Sequence, residues 1–259
     1  MGVTEENAML DVTAVPRVDH REAMRLAATE FSRMVDLLRG LDAGEWEQPT
    51  VCRAWDVQAM VAHVVGMAEA QASLRQFAHD YRAASRRDGG AMIDAMTAAQ
   101  VRDRADLTPA QLTDRLADVA PRAVRARRRA PALMRWAVRM KQDPPFDAER
   151  WPFGYLVDTI FTRDTWMHRL DVCRGIGREM VVTPEHDGRI VADVVAEWAR
   201  RHRRPFTLTL TCPAGGEWRG GAGGEHIELD ALEFCWILAG RAPAAGTPAA
   251  GLLATPVPF

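Results

Sequence analysis

Lysine is almost missing from this chain. Lys141 is the only one among the 33 basic residues, so the other 32 are arginines. With abundant alanine, that bias points to a high-GC coding sequence more than to a chemical requirement. Net charge is also small, formally -2, so global electrostatics predict neither nucleic-acid nor membrane binding. Cysteine is scarce. Cys52, Cys173, Cys212 and Cys235 form no CxxC pair, and a chain of 259 residues does not need disulfide staples. Reduced thiols in a cytoplasmic protein are expected. No apolar run reaches about 18 residues, so no membrane-spanning helix is expected. Met1 to Val15 carry neither a basic n-region nor an apolar h-region, so no signal peptide is expected.

What is present is enough apolar material for a sizeable core: 47% hydrophobic residues against 26% charged. Leu26, Phe31, Val35 and Leu38 recur at helical spacing between Asp19 and Leu41, and Gly40 closes that helix. After a loop holding Trp46, Pro49, Cys52 and Trp55, Asp56 suits the N-cap of a long second helix reaching about Arg87 and ended by Asp88-Gly89-Gly90. A third helical region is expected from Thr108 to Met140, opened by Thr108-Pro109 and interrupted or kinked at Pro121 and Pro131. A proline-containing loop from Gln142 to Pro152 leads to a fourth helix, Phe153 to Arg174. Four main helices suggest a bundle.

The texture changes near Val181. One more helix, Pro184 to Arg201, precedes the alternating strand Phe206–Cys212, a glycine-rich turn region from Gly215 to Gly224, a short strand His226–Leu229 and a helix Ala231–Ala239. The tail from Arg241 reads as loosely ordered. The expected fold class is α+β, with a bundle over residues 1–180 and a small mixed α/β domain over residues 181–259.

The strongest chemical signal lies on the fourth helix. Val157, Phe161, Asp164, His168 and Asp171 are spaced 4, 3, 4 and 3, forming one stripe beside the apolar Leu156, Ile160, Met167 and Leu170. Ionisable groups on a buried seam need partners or a metal, because an unpaired buried charge is costly. Asp164 and His168 stand one turn apart, where both can reach one ion. His63, among valines on the second helix, is a candidate third ligand if the two helices are neighbours. Two imidazoles, one carboxylate and an open position form a catalytic zinc arrangement. The structural alternative is a satisfied core histidine, with Asp164 paired to Arg163, Arg169 or His168. Cys52 and Cys173 have no adjacent base and read as buried small hydrophobes. His79 and His202 read as surface residues.

Three segments carry a family resemblance: Trp46 through Gly66, which includes Cys52, Trp55 and His63; Arg163 through Asp171 followed by Gly175-Ile176-Gly177-Arg178; and Cys235 through Arg241. In this order they resemble the mycothiol-dependent maleylpyruvate isomerase family. The resemblance implies a DinB-like four-helix bundle and a C-terminal domain similar to sterol-carrier-protein folds. It implies a divalent metal, usually zinc, held by His63, Asp164 and His168, and mycothiol as cosubstrate. It also implies an assisting arginine in the second domain, for which Arg241 is the best match. The isomerase of the family has glutamate where this chain has Asp164, one methylene shorter. The implied function is thiolate addition to a small electrophile, ending in cis-trans isomerisation or thiol transfer. A non-catalytic ligand-binding protein on the same fold is one rival. A DNA-binding regulator is another, resting on Arg122, Arg125, Arg127, Arg128 and Arg129 and on Arg200, Arg201, Arg203 and Arg204. These arginines have no interleaved aromatics and read as solvated helix faces.

Overall fold

A computed structural model of the protein describes residues 9–86, 91–247 and 249–259. They divide into two compact units. One is Asp19–Met180. The other joins Val181–Phe259 to the N-terminal segment ending at Val18.

The first unit is helical. Helix α1, His20–Arg39, starts where the Asp19 carboxylate accepts the Glu22 backbone N–H, and buries Ala23, Met24, Ala27, Phe31, Met34 and Leu38. Helix α2, Val57–Ala72, is capped by Asp56 and buried along most of its length. The long second helix expected from the sequence is in fact two. The chain turns extended at Ser73, whose side chain caps a new helix α3, Leu74–Ser85. A serine that can bond the backbone at the start of a helix competes with continuation of the helix before it. The expected stop at Asp88-Gly89-Gly90 lies outside the described residues. Helix α4, Met92–Arg102, was not anticipated.

Helix α5, Pro109–Arg128, opens with a capping box between Thr108 and Gln111 and runs through Pro121 without a break. Pro131 does end the helical stretch, and the short helix α6, Ala132–Ala137, follows it. The proline-containing loop is a hairpin: β2, Arg139–Lys141, pairs antiparallel with β3, Arg150–Pro152. The fourth expected helix has three parts: α7, Phe153–Tyr155; a π-helical turn, Leu156–Ile160; and α8, Phe161–Gly175. A π turn loosens the backbone hydrogen-bond ladder. Here Arg127 reaches in from α5, donating from Nε at 2.9 Å and Nη2 at 2.6 Å to the Val157 carbonyl, and from Nη2 to Thr162 Oγ1. This arginine is therefore no part of a solvated face: it is 3% exposed, and burial pushes its pKa down to about 10.

Helices α1 and α2 each pack on α5 and on α8. Between α1 and α8 lies a buried ion pair, with Arg169 Nε donating to Glu30 Oε1 at 2.6 Å and Nη2 to Oε2 at 3.1 Å. Such a pair fixes the register of the two helices, since losing one partner costs about 3–5 kcal/mol.

The second unit is a mixed sheet with helices. Its helix α9, Arg189–His202, follows a π-helical turn at Pro184–Gly188. The strands are β4, Phe206–Thr211; β5, Gly216–Gly220; and β6, Glu225–Asp230; helix α10, Ala231–Leu238, follows them. Strand β5 occupies part of what the sequence suggested was a turn region. The fourth strand is β1, Leu10–Asp11, which pairs parallel with β5. Residues 9–18, assigned from sequence to the first domain, thus complete the sheet of the second. Strand order is β1-β5-β4-β6, with β4 antiparallel to β5 and parallel to β6. To pass from β5 to β6 the chain must cross the start of β4 within residues 221–224. Gly224 makes this possible: its φ is +101°, and a Cβ there would lie 2.2 Å from the Pro205 carbonyl oxygen.

The expected loose tail is packed. Leu252, Leu253 and Val257 are buried, and the Trp198 indole donates to the Leu252 carbonyl at 3.1 Å. His202 is also not a plain surface residue. Its ring packs 4.2 Å from that of Trp198 and 5.4 Å from that of Phe206, measured between centroids. Burial, and then the nearby Arg204, push its pKa down to about 4.

A folded-state pKa below that of the unfolded chain means that the unfolded state takes up the proton first as pH falls. Stability from His202 should therefore be intact above about pH 6.5 and decline from there toward about pH 4. Urea unfolding across that range should show this acid slope, and His202→Leu should flatten it.

Candidate metal centre

The site is built from α2 and α8, with α4 behind it. Helix α2 brings His63 into the interior, 4% exposed, and α8 brings His168, 6% exposed, with Asp164 one turn before it. One ligand atom from each of His63, Asp164 and His168 lies within 4.8 Å of the others. The two imidazoles stand 5.0 Å apart between centroids and almost perpendicular, at 88°. His168 Nε2 is 3.4 Å from Asp164 Oδ1. Arg169, one of the pairing partners that the structural alternative offered Asp164, is turned to Glu30.

Each histidine is held from behind. His168 Nδ1 lies 2.9 Å from Asp171 Oδ2, and His63 Nδ1 lies 2.8 Å from Gln100 Oε1. A carboxylate or amide oxygen accepts only, so both rings donate from Nδ1 and direct Nε2 toward the shared space. This is the arrangement in which a hydrogen-bonded partner orients a ligating imidazole. Trp55 closes one side, its ring 5.5 Å from that of His63.

The two histidines carry different charges. Burial, and then repulsion from His168, push His63 down to about 4, so it is neutral at ordinary pH. Burial also opposes charge on His168, but Asp164 and Asp171 outweigh it and lift its pKa to about 9. The two carboxylates thus favour positive charge at the ring of His168, and the same field favours a divalent cation in front of Nε2. Donor types, spacing and orientation fit such an ion.

Gln100 was missed in the sequence, because α4 itself was not anticipated. The signal that bears on it is Gly66, one turn beyond His63 on α2. A Cβ at Gly66 would lie 2.6 Å from Gln100 Cβ and 3.0 Å from Arg104 Nη1. The missing side chain lets α4 approach close enough for Gln100 to touch His63. Arg241 follows α10 in the second unit. Its backbone N–H donates to the Trp236 carbonyl at 3.1 Å, and its guanidinium carbon sits 6.0 Å from the centroid of the Trp236 ring. Cys173 is buried, which lifts its thiol to about 11; Cys52 is half-buried and Cys212 exposed.

The fold and the site together describe a helix-rich α+β protein carrying a cluster of two buried histidines and one half-buried carboxylate. The profile of the mycothiol maleylpyruvate isomerase N-terminal domain matches residues 27–173, more than half of the chain, so the protein belongs to this family. Its structure is similar to the crystal structure of the mycothiol-dependent maleylpyruvate isomerase, with a TM-score of 0.57 at 17% identity, covering 90% of this chain and 93% of that one. A histidine-to-alanine mutant of the isomerase is similar to the same extent, with a TM-score of 0.55 at 17% identity and the same coverage. At that identity the likeness establishes a common fold. No curated protein sequence matches the chain significantly. Among the described residues no helix is long and apolar enough to cross a membrane.

Gly66→Ala tests the close approach of α4. Alanine should gain up to about 1 kcal/mol of helix propensity, yet overpacking should cost about 1–3 kcal/mol. A net fall in stability by urea titration is expected, because the nearest atom is a Cβ rather than the tip of a flexible side chain.

Proposed function

We propose that His63, Asp164 and His168 hold one divalent metal ion, zinc being the one that the family resemblance implies, and that the protein activates the thiol of mycothiol for addition to a small electrophile. The observation that carries this reading is the pair of imidazoles, each fixed through Nδ1, with His168 Nε2 beside Asp164 and a ligand atom of His63 within 4.8 Å of both. Family membership supports mycothiol as the thiol.

Bound there, the ion would supply Lewis acidity that favours the deprotonated thiol. The residues of the chain do the rest. His63 is neutral and ready as a donor, whereas His168 must release its proton, so Asp164 and Asp171 are left to balance the charge of the ion. The sulfur forms a bond to an electrophilic carbon conjugated to a carbonyl, and the electron pair of the double bond moves toward the carbonyl oxygen. Rotation about the resulting single bond and expulsion of the thiol give the isomer, with no net oxidation. This outcome is favoured over thiol transfer because the family to which the chain belongs is that of a maleylpyruvate isomerase. We assign to Arg241 the task of holding a substrate carboxylate or the developing oxyanion.

Two measurements test the reading. Plasma mass spectrometry of the purified protein should find near-stoichiometric zinc or another divalent metal, lost in both His63→Ala and His168→Ala. Metal absent, or indifferent to both substitutions, would leave a ligand-binding protein on this fold as the better description. Arg241→Ala should lower mycothiol-dependent kcat/KM by roughly 100-fold while metal content stays unchanged; a rate equal to that of the unsubstituted protein would remove Arg241 from the mechanism.

A further inference from the structure

Behind His63 the hydrogen bonds continue into a buried chain that ends on α3. Gln100 Oε1 faces His63 Nδ1 at 2.8 Å. The other end of the same amide, Nε2, donates to Asp80 Oδ2 at 3.2 Å. Asp80 Oδ1 in turn accepts from Gln76 Nε2 at 2.7 Å. Asp80 is completely buried, and Gln100 is 1% exposed. The main chain of Gln100 is pinned as well, by Arg104 Nη1 donating to its carbonyl at 2.7 Å.

The direction of such a chain is set by the member that cannot reverse. Glutamine can present either end of its amide, and neutral histidine can carry its proton on either nitrogen. An ionised carboxylate only accepts. With Asp80 at one end, Gln100 must turn its NH2 toward α3 and its oxygen toward His63. His63 must then hold its proton on Nδ1 and leave the Nε2 lone pair facing His168 and Asp164.

We propose that Asp80 is a positioning residue for the metal centre: through Gln100 it fixes the tautomer in which His63 can act as a ligand. The inference rests on the proposed metal site for its functional meaning, but the tautomer can be read in metal-free protein.

The experiment is long-range ¹H–¹⁵N correlation of the His63 ring in metal-free protein at about pH 8, where histidine is ordinarily neutral, together with zinc titration. Unsubstituted protein should show His63 protonated on Nδ1. In Asp80→Asn the side chain at position 80 can donate as well as accept, so either orientation of Gln100 is satisfied and the Nε2-protonated form should appear. Zinc affinity should fall about tenfold, the low end of what partners behind a ligand usually contribute. The double variant Asp80→Asn with Gln100→Glu exchanges amide and carboxylate. The carboxylate introduced on α4 would accept both from His63 and from the amide introduced on α3, so the Nδ1-protonated form should return. An Asp80→Asn protein that keeps the Nδ1 proton and full zinc affinity overturns the proposal. So does a folded double variant that carries the proton on Nε2, which also decides the matter should the single variant fail to fold. A tautomer that follows these substitutions in a protein that binds no zinc would uphold this inference and sink the proposed metal site instead.

Discussion

Two imidazoles buried side by side cannot both be charged, and most of the first unit is arranged around that restriction. Burial and the neighbouring ring hold His63 neutral, while Asp164 and Asp171 hold His168 protonated in the absence of another cation. The centre therefore has one donor ready for use and one that exchanges a proton for an ion. Removing the flanking carboxylates would leave an interior in which burial alone acts, and both rings would be driven neutral.

Holding those rings in place requires helices that cannot slide. The Glu30–Arg169 pair locks α1 to α8 directly beside His168, and Arg127 ties α5 to the π turn just before Asp164. On the opposite side, Gly66 lets α4 press against α2 so that an amide meets His63. These contacts are polar or close-packed, and both kinds lose energy steeply with small displacements. Belonging to a family named for its use of mycothiol gives the site a chemical context, but orientation of the donors is what makes the context usable.

The separation into two units also has a local cause. The sheet of the second unit has its N-terminal strand delivered from the far end of the sequence, and its core gathers Trp198, Phe206 and Phe234 with the C-terminal Leu252. A tail rich in Ala, Pro and Gly looked loose because its few apolar residues show no period. They are buried because α9 and α10 leave apolar surface for them to cover.

The caps at Asp56 and Thr108, the stripe of α8 with Asp164 and His168 one turn apart, and the change from helices to mixed elements near Val181 were legible in the sequence alone. These follow from side-chain chemistry at short spacing, whereas His63, on a different helix, joins Asp164 and His168 only because α2 packs on α8. The break at Ser73, the hairpin at β2 and β3, the pairing of β1 with β5 and the roles of Gln100, Asp80 and Arg127 were decided only by the tertiary structure. Each depends on which segment arrives opposite: an amide becomes an anchor when a glycine lets it in, and an arginine in a basic run becomes structural when a π turn offers its carbonyl. Periodicity reports which face of an element is buried, but not what is buried against it.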